Sequence, residues 1–361
     1  MKLWIFLFST FLLYASTVSG QEVILKLNPS KKATEIRDYT YKIVKDARVQ
    51  QAIGQIYDAD RTKRSASYNQ KLPQQALSFY QSRSTSSAQP SYSFEVKIYN
   101  LDMKEIYQVA QKGYKGEVQL SLGLFLLGQN EPVHLVDFNG KATYGRPATQ
   151  QQNVEISIQN LFENSWEFFD SWLNSQYLSN RSLTKKVKLQ ILDPIRPSSK
   201  DTVFYDRDRP LTWEDFTDNP DRTSTYNATI YSSMSIQGNA SVQNGEIVQT
   251  IDIKVYMIPD QSWVKKADDY ASNHEQRHFD LTRIAADRMI ERLKTVELEP
   301  RLFEATLNDI YLDAYREMNR FQEAYDDDTN NGINTTKQAI WNQAISKALD
   351  GNMGDLEKMF K

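Results

Sequence analysis

The run His274-Glu275-Gln276-Arg277-His278 brings two of the chain's three histidines together around a glutamate. Residues four apart on an α-helix project from the same face, so both imidazoles can chelate one Zn²⁺ through a ring nitrogen. Glu275, beside the first histidine, is placed to act as a general base. It would take a proton from water activated at the metal as that water attacks a peptide carbonyl, and hand it to the leaving amine. The plainer reading makes the histidines satisfied core imidazoles and Glu275 a helix-surface carboxylate paired with an arginine.

Catalytic zinc usually takes three protein ligands and leaves a fourth place for water. The remaining histidine, His134, lies far upstream. Asp280 is two residues past His278 and, on a helix, is turned away by about 160–200°. It is therefore rejected as a ligand and expected either to orient an imidazole or to lie exposed. Downstream carboxylates are plentiful: Glu297, Glu299, Glu304, Glu317, Glu323 and the run Asp326, Asp327, Asp328. Spacing alone does not choose among them, and three aspartates before Thr329 and Gly332 also suit a solvated turn. The chain has no cysteine, which excludes thiolate-bound zinc and thiol catalysis.

These residues need a helix, and the period of the apolar residues supplies one. Tyr270, His274, His278, Leu281, Ala285 and Met289 form a single stripe, turning both histidines toward the rest of their domain. Three helical stretches are expected at about 263–294, 301–324 and 335–349. Before them the chain alternates as strands do, at Tyr226, Ala228 and Ile230, then at Met234 and Ile236, and again at Ile251, Ile253, Val255 and Met257. Asn244-Gly245 marks a hairpin between the last two. Upstream, alternation at Val23–Leu27, Tyr39–Ile43 and Tyr92–Ile98 and an apolar run at Val118–Leu127 predict strands. A further strand is expected over Val133–Tyr144, with a turn at Asn139-Gly140. Val154, Ile158, Leu161, Phe162, Trp166, Phe169 and Leu173 then predict one strongly amphipathic helix, packed on its own sheet.

The expected fold class is α+β in two domains. Residues 21–180 form an N-terminal α+β domain without a recognisable catalytic grouping, residues 181–205 a polar, basic linker, and residues 206–361 the domain with the histidines. Residues 1–20 read as a signal peptide: Lys2, an apolar core from Leu3 to Tyr14, and small residues from Ala15 to Gly20. Its apolar part is short for a bilayer of roughly 30 Å, and no later segment approaches membrane length. A secreted or periplasmic protein is expected, with no transmembrane segment in the mature chain. The 43 basic and 46 acidic side chains nearly balance and the basic ones are scattered. No nucleic-acid partner is therefore expected.

Over about residues 208–350 the sequence resembles a bacterial family of predicted secreted zinc-dependent proteases, domain of unknown function 922. The likeness rests on Leu211-Thr-Trp-Glu-Asp-Phe216, the strand from Ala228 to Ser232, and Ser262-Trp-Val264. It continues through Asn273-His-Glu-Gln-Arg-His-Phe-Asp280, then Tyr325 to Gly332, Gln338 and Trp341. The resemblance implies a zincin-like domain, with a small antiparallel sheet followed by three helices, the first carrying the histidines. It also implies a Zn²⁺ cofactor and a peptide or protein substrate. In that family a histidine directly before the final glycine looks like the third ligand; here Asn331 stands there. Asn331 offers only a neutral amide oxygen, so Asp326 and Asp328 are the nearest substitutes. The expected function is a secreted zinc metallopeptidase. The alternative is a catalytically inactive, envelope-associated or binding protein that keeps a degenerate peptidase fold.

Overall fold

Alternating apolar residues in the first half of the chain build a sheet whose long strands form an antiparallel meander. Tyr92–Gln108 pairs with Gly113–Leu126, which pairs with Val133–Pro147. The computed structural model describes residues 22–29, 36–58, 60–128, 131–147, 149–150 and 152–360. The signal peptide expected over 1–20 lies outside them. Two units divide the chain, one ending at Ser175 and the other starting at Gln176.

In the first unit, Tyr39–Asp46 joins the edge of Tyr92–Gln108 in parallel, and the whole sheet has seven strands. Two helices accompany it, α1 (Leu72–Arg83) and α2 (Gln152–Gln176). The α2 stripe from Val154 to Leu173 is buried. Gly140, expected in a turn, lies inside an unbroken strand opposite Leu120. Its lack of a side chain serves packing, since a Cβ there would meet the Phe138 ring at 2.6 Å and Leu161 of α2 at 3.0 Å. The Arg146 guanidinium, fully buried, makes two 2.7 Å hydrogen bonds to Glu105, which also accepts from Tyr144.

The second unit starts from the hairpin predicted at Asn244-Gly245. Both residues have positive φ, as a two-residue turn of this hand requires, and Ser232–Gln243 pairs antiparallel with Glu246–Met257. The expected sheet was antiparallel throughout, but the other edge of Glu246–Met257 pairs in parallel with Lys186–Leu192. That strand comes from the segment expected to be a linker. Its alternation of Val187, Leu189 and Ile191 is strand-like, but lysines and a glutamine between them gave it the composition of a connector. The second unit places its strands before its long helices, while in the first α1 lies between strands, and the arrangement is mixed α and β of the α+β kind.

Helix α3 (Asp269–Thr295) packs on both hairpin strands and against α4 (Phe303–Thr329) and α5 (Thr335–Leu349). It starts later than the expected 263, because Asp268 caps it by accepting from the Ala271 N–H, while Trp263–Val264 pairs as a short strand with Ala228–Thr229. Its buried side includes Phe279, Leu281, Ile284, Ala285, Met289 and Leu293 together with both histidines and Glu275. Burying a carboxylate costs several kcal/mol. Each large apolar side chain on the same face contributes about 1.5–3 kcal/mol toward docking the helix. Among the described residues no helix is long and apolar enough to cross a membrane.

Candidate metal centre

One helical turn places His274 and His278 side by side, with their Nε2 atoms 3.2 Å apart. Helix α4 brings Asp326 to the same point, its Oδ1 lying 3.2 Å from His274 Nε2 and 3.0 Å from His278 Nε2. These three side chains form a His-His-Asp group able to hold a metal ion. A tetrahedral ion bound at about 2.0–2.1 Å requires donor atoms about 3.3 Å apart. The observed triangle is close to that edge length.

The opposite ring nitrogens decide the tautomers. His278 Nδ1 bonds the side-chain oxygen of Gln322. The Gln322 amide nitrogen is itself committed as a donor, to the His278 carbonyl at 3.0 Å and to Thr282 Oγ1 at 2.9 Å. His274 Nδ1 bonds Gln338 Oε1 at 3.1 Å, while Gln338 Nε2 donates to Asn273. Both amides thus present oxygen, so both imidazoles carry their proton on Nδ1. With both rings neutral, the two Nε2 lone pairs and a carboxylate oxygen converge on one point. A cation fits that arrangement of acceptors, and orienting hydrogen bonds on the far nitrogen are typical of metal-ligating histidines.

Without metal, burial pulls His278 toward its neutral form. The hydrogen bond and charge of Asp326, with the charge of Glu275, outweigh it and raise the pKa. Desolvation pushes Asp326 upward, but its bonds to the two imidazoles prevail and hold it well below the usual carboxylate range. The Tyr325 ring stacks on His274 at 4.8 Å and meets His278 edge-on at 5.0 Å, fixing both rings.

Glu275 is buried beside the histidines and lines the same cleft as they do. Burial raises its pKa; the charges of His278 and His274 and a hydrogen bond from the Ile230 backbone pull the other way. Among the described residues Glu275 forms no ion pair with an arginine, and it is buried rather than on the surface. Arg277 turns instead to Asp280 at 2.7 Å and Asn342 at 3.1 Å. Asp280 is neither exposed nor bonded to an imidazole. It is buried and accepts from Tyr205, Gln276 and Arg277. Tyr270, expected on the buried stripe, is exposed at the cleft because it precedes the first covered turn of α3.

Of the three residues considered for the third position, Asp326 meets the histidines. Asp328 is engaged by Lys337 at 2.9 Å and by Trp341 Nε1 at 2.9 Å. Asn331 borders the cleft in a turn where Asn330, Asn331 and Gly332 all have positive φ. His134 is exposed on the first unit and paired with Asp137 at 2.7 Å. Sequence reasoning missed the orienting roles of Gln322 and Gln338. The motif at Leu211–Phe216 is structural: the Leu211 N–H donates to Gln276 of α3, and Thr212 and Asp215 form a capping box.

No family model matches this sequence. No curated protein matches it either. Among solved structures, protein XCC0632 from Xanthomonas campestris, of the domain family DUF330, is similar at 9% identity with a TM-score of 0.27. The match covers 42% of this chain and 93% of that one. So low a score carries nothing about fold or activity.

Proposed function

We propose that the second unit is a zinc-dependent peptidase domain of zincin-like type, related to the domain-922 proteases, with Asp326 standing in for the family's histidine. The observation that carries this reading is the convergence of two oriented imidazoles and Asp326 beside a buried glutamate. His274, His278 and Asp326 would hold the metal. Zn²⁺ so bound supplies Lewis acidity, polarising a peptide carbonyl and lowering the pKa of water. Glu275 accepts a proton from the attacking water and delivers it to the departing nitrogen. Its place in the cleft beside both histidines suits both halves of that transfer. Tyr325 and the two glutamines keep the imidazoles in place, so little reorganisation is needed during turnover. With the leader read at 1–20, the protein would act outside the cytoplasm as a secreted or periplasmic enzyme. The first unit would then serve to bring substrate or an envelope-associated partner.

Glu275→Gln tests the assignment of the base. The variant should retain bound zinc and lose peptide hydrolysis by at least a hundredfold, on the scale of general-base catalysis. Unchanged cleavage would remove Glu275 from the role. The alternative is a non-catalytic binding protein that keeps the same fold. It predicts that purified protein takes up no zinc.

A further inference from the structure

The cleft over the histidines has a volume of about 780 Å³ and is bordered by an unusual set of side chains. Tyr226, Tyr231, Tyr270 and Ile333 all line it, and they are 48%, 43%, 39% and 75% exposed. Apolar side chains scattered singly on a surface need no explanation. Four around one cleft give its border an apolar, aromatic character. Two of them lie close in sequence to residues at the candidate metal group. Tyr270 sits one helical turn before His274, and Ile333 follows Gly332, whose Cα hydrogen side faces the His274 ring so closely that a Cβ would come within 3.2 Å of Nδ1.

The charges tell a second thing. Among the described residues lining the cleft, the ionised groups other than histidine are Asp268, Glu275 and Asp326, and there is no lysine or arginine. A terminal carboxylate is most often held by a forked arginine or a lysine, and the lining offers neither. A terminal ammonium needs a carboxylate with nothing else to do. Asp268 caps α3, Asp326 meets both imidazoles, and Glu275 is buried. The cleft is therefore built to read side chains rather than chain ends.

Resting on the peptidase reading, we infer that the domain is an endopeptidase whose cleft takes the interior of a polypeptide and seats a large apolar or aromatic side chain against Tyr270 and Ile333, next to the cleaved bond. Hydrolysis breaks the C–N bond. Water supplies the hydroxyl to the acyl carbon and a proton to the nitrogen, giving a carboxylate and an amine.

The test uses the full protein loaded with zinc and four short peptides with one central residue, Phe or Ala, each with free ends or acetylated and amidated. Binding of the same peptides is measured on Glu275→Gln. The blocked Phe peptide should be cut within about threefold of its free-ended form and at least tenfold faster than the Ala peptide, the range one apolar pocket can discriminate. Ile333→Asp, at an exposed position that the fold does not need, should cut that preference at least tenfold in both cleavage and binding. Cleavage that requires a free end overturns the endopeptidase assignment while leaving a peptidase. Equal rates for Phe and Ala, or an unaffected Ile333→Asp, overturn the apolar subsite. Zinc bound but no peptide bound or cut overturns the inference itself. Absence of zinc removes the peptidase reading and the endopeptidase with it, so the two failures are told apart by metal content.

Discussion

Gln322 and Gln338 determine what the two histidines can do, because each fixes an imidazole with its Nε2 toward Asp326. Removing such an orienting partner typically costs 10–100-fold in metal affinity. Gln322→Ala should therefore weaken zinc binding by about that factor in competition with a chromophoric chelator, and an unchanged affinity would show that Gln322 has no orienting role. Proton and metal also compete for the same nitrogens. In metal-free protein the raised His278 contributes stability that is complete below its unfolded value of 6.5 and fades as pH rises through the higher folded value. The depressed Asp326 contributes above its unfolded 3.8 and loses that as pH falls toward its folded value. The zinc-induced rise in Tm should thus be larger at pH 8 than at pH 6, and equal rises would contradict the competition. His274, Glu275 and His278 were legible from spacing alone. Asp326 was one candidate among several, Gln338 stood out only as part of the resemblance, and Gln322 not at all; they lie 64 and 44 residues from the histidines they orient.

At the scale of elements, the turn joining α4 to α5 matters as much as the helices. Gly332 has φ of 80° and lies against the His274 ring. Gly332→Ala should cost about 1–2 kcal/mol from the left-handed backbone and lower zinc affinity about tenfold by displacing the imidazole. Urea unfolding and metal titration on the same variant separate the two effects. A loss of stability with full affinity would mean that the ring is held elsewhere. The three late helices were readable from their 3.6-residue period and the hairpin from Asn244-Gly245. The parallel strand Lys186–Leu192 was not, because its polar positions mimic a linker and its partner lies sixty residues away. Helix α1 was likewise hidden. Its apolar residues Leu72, Ala76, Phe79 and Tyr80 are buried, but glutamines and serines dilute the period.

Across the whole molecule, each unit has its own apolar core. The first is further pinned by Glu105 and Arg146, the second by α3 with its hairpin and helices. The candidate metal group lies within the second unit. What the sequence could not convey is that Asn331 stands at the cleft's border while a carboxylate five residues earlier, Asp326, meets the histidines. The most direct measurement of the central claim is the metal content of purified protein after equilibration at micromolar free Zn²⁺. About one equivalent of zinc per chain is expected, lost from the paired His274→Ala and His278→Ala variant and sharply reduced by Asp326→Ala, with Asp328→Ala unaffected. A chain that takes up no zinc, or one that holds it equally well without Asp326, would contradict the account.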